Sequence, residues 1–402
     1  MSEWKEIKLK EIVQYIVDNR GKNPPYVLKG FEVIETGCIS GKIKFPNYSL
    51  VKKYVDQNTY DNWFRKGHPQ KDDLLIITVG NGIGSVSIMQ ENRGVITQNL
   101  IALRFNQDAN SNYYFYYLNQ DSIQEFLQSL NIGSAQPSLK VPHLLNLEVP
   151  APPLIEQTAI ASVLSSLDNK IDLLHRQNAT LEKMAETLFR QWFVEEAKEG
   201  WEEIRLGSIV EVINGVSYKS DDLNSSKTAM VTLKSFDRNG GFRMDGFKEY
   251  TGKFKEQHIL KEGDLVVAHT DITQEAEVIG NPVMVIGNPK YEVLVFSMDL
   301  VKVISNDENY SNEFLYLLMK SREFKEHCLG YSNGSTVLHL SKKAIPEYEM
   351  KLPPNKLIND FSFKVKPLVQ KQFRNQTQIR TLTALRDTLL PKLMSGEVRV
   401  DL

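Results

Sequence analysis

The stretch Gly21-Lys22-Asn23-Pro24-Pro25-Tyr26 carries the residue pattern in this chain with the most specific covalent chemistry. In Asn-Pro-Pro-Tyr, an Asn carboxamide and a Pro carbonyl can grip the exocyclic amine of an extruded adenine while the Tyr ring stacks on the base, the arrangement for methyl transfer to N6. That chemistry has structural requirements. The tetrapeptide must end a buried strand, and a separate glycine loop with an acidic partner must hold S-adenosylmethionine. Here it follows Asp18-Asn19-Arg20-Gly21-Lys22, which is charged and turn-like. The glycine cluster Val79–Val86 has Ser85 where the last Gly of G-x-G-x-x-G belongs, and no helical periodicity follows it. Asn23–Tyr26 therefore reads as an extended lead-in loop, because a residue before Pro is held out of the helical region. A self-contained N6-adenine methyltransferase built on Asn23-Pro24-Pro25-Tyr26 stands as the alternative.

Other chemistry is thinly supported. The seven histidines form no H-E-x-x-H, and neither a nucleophile elbow nor a P-loop is present. Cys38 and Cys328 have no Cys or His at ligand spacing, so free thiols are expected, with no disulfide framework and no metal site. No apolar run reaches the length of a membrane span, and Met-Ser-Glu-Trp-Lys-Glu lacks the apolar stretch of a signal peptide, so a cytoplasmic location is expected. A net charge of -2 argues against indiscriminate polyanion binding. Any nucleic-acid contact must be local or shared with a partner.

The elements that would position such residues come from an internal repeat. Ile132–Lys140 (IGSAQPSLK) answers Asn333–Ser341 (NGSTVLHLS), with Gly133-Ser134 on Gly334-Ser335 at a shift of 201. The same shift carries Pro152-Pro153 onto Pro353-Pro354 and Thr187-Leu188 onto Thr388-Leu389, while Trp4 meets Trp201 at a shift of 197. The place after Trp201 that corresponds to Asn23–Tyr26 reads INGVSYKSDDL, without prolines. Each copy reads as a mixed, sheet-dominated module with strand-like runs (Asp73–Gly80, Asp264–Thr270) followed by a long helix.

In the first helix Ile160, Leu164, Leu167, Ile171, Leu174, Asn178, Leu181, Ala185, Leu188 and Trp192 alternate four and three residues apart, the spacing of a coiled-coil seam. At 1.5 Å per residue that is roughly 50 Å of rod. The second helix, from about Leu357 to Met394, keeps the seam through Phe361, Val365, Leu368, Gln372, Asn375, Ile379, Leu382, Leu389 and Leu393. Polar residues fall near the middle of both stripes. In an antiparallel pair the middles meet, and Asn178 would bond across the seam and fix its register. The competing reading is a drifting seam that leaves these positions in solvent. Phe189, Trp192 and Phe193 read as core packing against a module, and Lys364, Lys366, Lys371, Arg374 and Arg380 as a solvated face or phosphate contacts.

The stretches Asn131–Phe193 and Thr381–Val400 resemble the spacer helices of the specificity (S) subunit of type I restriction-modification enzymes, and the runs Asp73–Ile88 and Gly263–Gly280 resemble two variants of that family's target recognition domain. The resemblance covers essentially the whole chain. It implies an α+β protein with two sheet-containing target recognition domains separated by two long antiparallel coiled-coil helices in a pseudo-two-fold repeat. The implied boundaries are 1–150 and 198–351 for the recognition domains, 151–197 for the first spacer helix, and 352–402 for the second with its C-terminal tail. It further implies double-stranded DNA as ligand, read as a split asymmetric site, with two methylase subunits and restriction (motor nuclease) subunits as partners. Catalysis is then not expected in this chain, and S-adenosylmethionine, ATP and magnesium belong to the partner subunits. A coiled-coil scaffold unrelated to DNA is the third reading.

Base reading needs side chains with paired donors and acceptors on loops or a helix that can enter a groove. Polar residues on the glycine-rich turns are the candidates: Thr78, Asn81, Ser85, Gln98, Asn99, Ser134, Gln136 and Ser138 in the first module, and His269, Thr270, Asp271, Gln274, Ser335, Thr336 and His339 in the second. Candidate phosphate anchors are Lys42, Lys44, Arg65, Lys66, Arg93 and Lys140, then Lys234, Arg238, Arg243, Lys253, Lys342 and Lys343, with Tyr48 and Phe236 as aromatic neighbours.

Overall fold

The computed structural model describes residues 4–401 except 81, 131–137, 238–240 and 274. It divides into two compact units: Met1–Leu173 with Gln378–Leu402, and Leu174–Thr377. Each unit therefore takes half of each long helix, and the helices are not bodies separate from the modules.

The repeat is visible strand by strand. In the first unit an antiparallel sheet runs Val13–Val17, Leu100–Phe105, Leu74–Ile77, Val86–Ile88. The second unit repeats the order with Val210–Asn214, Leu300–Ser305, Leu265–Ala268 and Pro282–Met284. A smaller sheet in each unit holds a parallel pair, Phe31–Ile34 with Val95–Ile96 and Thr228–Val231 with Val293–Phe296. Antiparallel pairs close both modules: Lys5 faces Ala151, and Glu202 faces Leu352. Both partners are displaced by the shifts that align the sequence.

The continuous apolar runs have a simple cause. Leu74 and Ile76 point into a core shared with the helix Ser111–Leu118, whereas Leu75 and Ile77 point into the core under the smaller sheet. Leu265 and Val267 face one core of the second unit, Val266 and Ala268 another. Strands covered on both faces lose the polar alternation of a half-exposed sheet.

The long helices span Leu154–Arg190 and Asn355–Met394, each starting just after a Pro-Pro pair. The first ends in a π-helical turn, Gln191–Glu195, that carries Trp192 and Phe193 into an aromatic cluster with Phe189, Phe314 and Phe361. Ile160, Leu164, Leu174, Ala185, Phe361, Val365, Ile379 and Leu393 are buried, and Leu167, Ile171, Leu181, Leu188, Leu368, Leu382 and Leu389 half-buried. His175 lies on the surface.

The polar middle of the seam pairs as an antiparallel register requires. In the second unit Asn375 Nδ2 donates to Asn178 Oδ1 at 2.8 Å, and Gln372 Nε2 donates to the Asn178 carbonyl at 3.1 Å and to Glu182 Oε2 at 2.6 Å. Partner numbers fall on one helix as they rise on the other. Glu182 also accepts from the buried Tyr316 at 2.6 Å and pairs with Lys320. Burial works to raise its carboxyl, but Lys320, Tyr316 and Gln372 outweigh burial and hold it below the ordinary value. In the first unit Tyr116 donates to Asp168 at 2.6 Å, and Arg386 reaches the other oxygen of that carboxylate at 2.9 Å. Neither group is repeated: Tyr316 stands at the helix position of Phe115, one residue before Tyr116, and Asp168 lies in the N-terminal half of the first long helix, Glu182 in the C-terminal half.

Asn375 is buried, so Asn375→Ala leaves the Asn178 carboxamide without its 2.8 Å donor. The expected cost is ~1–3 kcal/mol in denaturant unfolding of the full chain. Replacing Asn178 and Asn375 together by Leu should recover that loss, because an apolar pair leaves nothing unsatisfied.

Candidate nucleic-acid interface

In each unit three segments far apart in sequence meet at the end of the central strand. In the first unit Ile77 N donates to Ser85 O and Gly84 N to Ile77 O, both at 3.0 Å, closing a hairpin over residues 78–83. Thr78 N then donates to Asn99 O at 2.8 Å, and Thr78 O accepts from Leu139 N at 2.8 Å. The second unit repeats each bond. Ala268 N reaches Asn281 O at 3.0 Å, Gly280 N reaches Ala268 O at 2.8 Å, His269 N reaches Asp299 O at 2.8 Å, and Leu340 N reaches His269 O at 2.9 Å. Only the loop differs, since it now spans 269–279, five residues longer. The strand Leu338–Leu340 pairs with Thr270–Asp271 beside it.

These tethers bring together Thr78, Gln98, Asn99, Ser138 and Lys140 in one unit, and His269, Thr270, Asp271, His339 and Lys342 in the other. Not all are available to a ligand. Thr78 is fully buried with its hydroxyl on Asn99 O at 3.3 Å, and Ser85 is buried at the hairpin neck. Thr270 is buried and donates to Asp299 Oδ1 at 3.1 Å. Asp271 is 1% exposed, its carboxylate accepting from Thr273 N and Oγ1, Val278 N and Ile279 N at 2.6–3.0 Å. These four residues build the loops, a correction to their reading as base contacts; their backbone tethers turn the side chains inward. Gln98 and Asn99 are half-buried, and Gln98 Nε2 donates to Gly21 O at 3.0 Å. Ser138 and His269 are half-buried, whereas Lys140, Lys234, Ser335, Thr336, His339 and Lys342 are exposed. Asn81, Ser134, Gln136, Gln274 and Arg238 lie outside the described residues. The His269 imidazole is pushed below its ordinary value by burial and then by Lys342 and His339, with Asp299 opposing them, which favours its neutral form.

The cations sort in the same way. Lys44 is not a free anchor: its ammonium donates to Ser165 Oγ at 2.8 Å and lies 5.4 Å from the Tyr116 ring centroid, and burial lowers its pKa. Arg93 pairs with Glu32 at 2.7 Å while stacking on Tyr48, Arg243 pairs with Asp245 at 2.6 Å, and Lys42 pairs with Asp121. Lys343 lies 3.7 Å from Glu347. Arg65, Lys66 and Lys253 are exposed. Phe236 is buried and presents no ring. Asp299 was missed by sequence reasoning, although it stands at the repeat position of Asn99.

The tetrapeptide Asn23–Tyr26 lies in a loop between strands Val13–Val17 and Phe31–Ile34, not at the end of a buried strand. Tyr26 donates to Asn23 Oδ1 at 3.2 Å, so the carboxamide that would grip an adenine amine is engaged by the residue that would stack on the base. The glycines of Val79–Val86 serve the hairpin: Gly80, Gly82 and Gly84 hold φ of +94°, +85° and +84°, and strand Val86–Ile88 follows where a cofactor loop would open a helix. Among the described residues no His, Cys, Asp and Glu cluster is placed to hold a metal ion, and Cys38 and Cys328 are buried free thiols. No helix is long and apolar enough to cross a membrane among those residues.

The model of the type I restriction modification DNA specificity domain matches residues 1–183 and again 198–363, once per repeat. The chain belongs to the type I restriction-modification specificity subunits. It is 29% identical over 313 residues to the MjaIX specificity subunit of Methanocaldococcus jannaschii, covering 72% of this chain and 70% of that protein. The MjaVIII specificity subunit of the same organism is 22% identical over 430 aligned positions, covering 99% and 93%. The solved S subunit from M. genitalium shares the fold, with a TM-score of 0.59 at 20% identity and coverage of 100% and 97%. The two specificity domains thus map onto the two copies of the tethered hairpin.

Asp271 supplies a test of how this subunit holds its second loop. Burial tends to raise the Asp271 carboxyl, but its hydrogen bonds prevail and set it below the ordinary 3.8. A depressed folded pKa means that its stabilisation is complete above the unfolded value and is lost as pH falls through the folded one. Amide protection at Val278 and Ile279 should therefore persist to below pH 3.8 and then collapse. Asp271→Ala should lower the local opening free energy of those amides by ~1–3 kcal/mol at neutral pH, read by hydrogen exchange.

Proposed function

We propose that this chain is the sequence-specific double-stranded DNA-binding subunit of a type I restriction-modification complex, reading a bipartite, asymmetric site with one half per unit. The observation that carries this is the pair of identical backbone tethers holding unlike loops: 78–83 with Asn99 and Leu139, and 269–279 with Asp299 and Leu340. A common scaffold with different reading edges is what two unequal half-sites require. Exposed Lys140 in one unit, and Lys234, His339 and Lys342 in the other, supply phosphate and base-edge contacts. The net charge of -2 fits a subunit whose cationic surface is local and whose affinity is shared with partners.

In this reading the long helices set the gap between half-sites and dock two methylase subunits and the restriction subunits. The chain performs no chemistry itself, so S-adenosylmethionine, ATP and magnesium act in those partners, in the cytoplasm. The self-engaged Asn23 and Tyr26 support assigning methyl transfer elsewhere.

Mapping N6-methyladenine across the genome of cells carrying this chain and its methylase should reveal a split motif. Replacing Trp4–Pro150 by another first module should change one half of the motif and leave the other intact. Asn23→Ala should leave methylation in place, and methyl transfer by the purified chain alone would overturn the proposal. Lengthening both long helices by about two turns should widen the gap without altering either half.

A further inference from the structure

Gln98 and Met298 occupy one place in the repeated scaffold, because Asn99 and Asp299, the next residues, accept the matching backbone bonds from Thr78 and His269. The first unit puts a carboxamide there, bonded to Gly21 O. The second puts a thioether that is 55% exposed. The longer hairpin of the second unit adds Ile272, 75% exposed, directly after the buried Asp271. The two loops are joined at their roots, since the Asp299 carboxylate accepts from Thr270 Oγ1 at 3.1 Å and from Ser297 Oγ at 3.3 Å.

An isolated exposed apolar residue is ordinary on a protein surface. Ile272 differs in its mounting. The backbone on both sides of it is held by the four hydrogen bonds to Asp271 and by the pairing of Thr270–Asp271 with Leu338–Leu340. The residues beside it, His269, His339 and Lys342, are polar, and three-quarters of Ile272 stays uncovered. A complement that suits it is a polar surface with a small apolar feature, met beside the exposed Lys342 ammonium. The major groove of duplex DNA has such a feature in the thymine 5-methyl group, set among donors and acceptors that His and Lys can address.

We propose that Ile272 and Met298 are specificity-determining residues of the second unit that read thymine methyl groups in its half-site. The inference rests on the DNA-reading function proposed above and adds a chemical difference between the units: a carboxamide at the shared position in the first, two apolar contacts in the second.

The test uses the chain assembled with its methylase subunits and a duplex bearing the mapped split site. Each thymine of the half-site assigned to the second unit is replaced in turn by deoxyuridine, which removes only the methyl group. At one or more positions the wild-type complex should bind about fourfold more weakly, the ~0.8 kcal/mol of one methyl-sized group. Ile272→Ala or Met298→Ala should abolish that discrimination while binding to the uracil duplex stays unchanged. A half-site without thymine, a uracil penalty that survives both substitutions, or the absence of any penalty overturns the inference while specific binding stands. An Ile272→Ala complex that loses affinity equally for both duplexes points to a wedge between base steps and also overturns it. If the complex shows no preference for the split site over random duplex, the functional proposal itself has failed. Both substitutions alter exposed side chains, and an unchanged unfolding profile separates a reading defect from a folding one.

Discussion

The structure depends on the burial of one strand in each unit from both sides. Leu74–Ile77 and Leu265–Ala268 are sealed between a helix-bearing core and a smaller sheet, so neither face is free for a ligand. Only the strand ends reach the surface. What can be presented is therefore a set of loops, and the loops must be held by bonds from neighbouring segments. The tethers at Thr78 and His269 provide those bonds through the backbone, which leaves side-chain identity free to change.

The same logic governs the long helices. Their apolar seam would pack in several registers if it were uniform, and the layer of Asn178, Gln372 and Asn375 removes that freedom because the Asn375 and Gln372 amide N–H groups meet Asn178 in one register only. Tyr116 with Asp168 in one unit, and Tyr316 with Glu182 in the other, then fasten each module to the helical segments of its own unit. The tyrosine has moved by one helix position and the carboxylate between helical halves. Equivalent attachment survives because a hydroxyl needs only one buried acceptor, whichever segment supplies it.

The helices, the seam, the antiparallel meeting of its polar middles and the two-module plan were legible in the sequence because each rests on periodicity or on the repeat. The tetrapeptide Asn23–Tyr26 reads as a loop from its flanks, and a loop is where it lies, with Tyr26 bonded to Asn23. Within the candidate interface several residues were misread in detail. Thr78, Ser85, Thr270 and Asp271 look like exposed turn residues in a linear reading, yet their side chains are buried at the roots of the loops. Lys44 reads as a surface cation and is tucked against Ser165 and Tyr116.

The sequence by itself determined the repeat, the helices with their seam, and the family, since each is written in spacing that neighbouring residues enforce. Tertiary structure alone decided which polar residues face outward. That outcome depends on bonds between Thr78, Asn99 and Leu139, and between His269, Asp299 and Leu340, residues tens of positions apart. No local pattern encodes them. A side chain beside such a bond is turned in or out by the path of the backbone, and that path exists only once the segments have met.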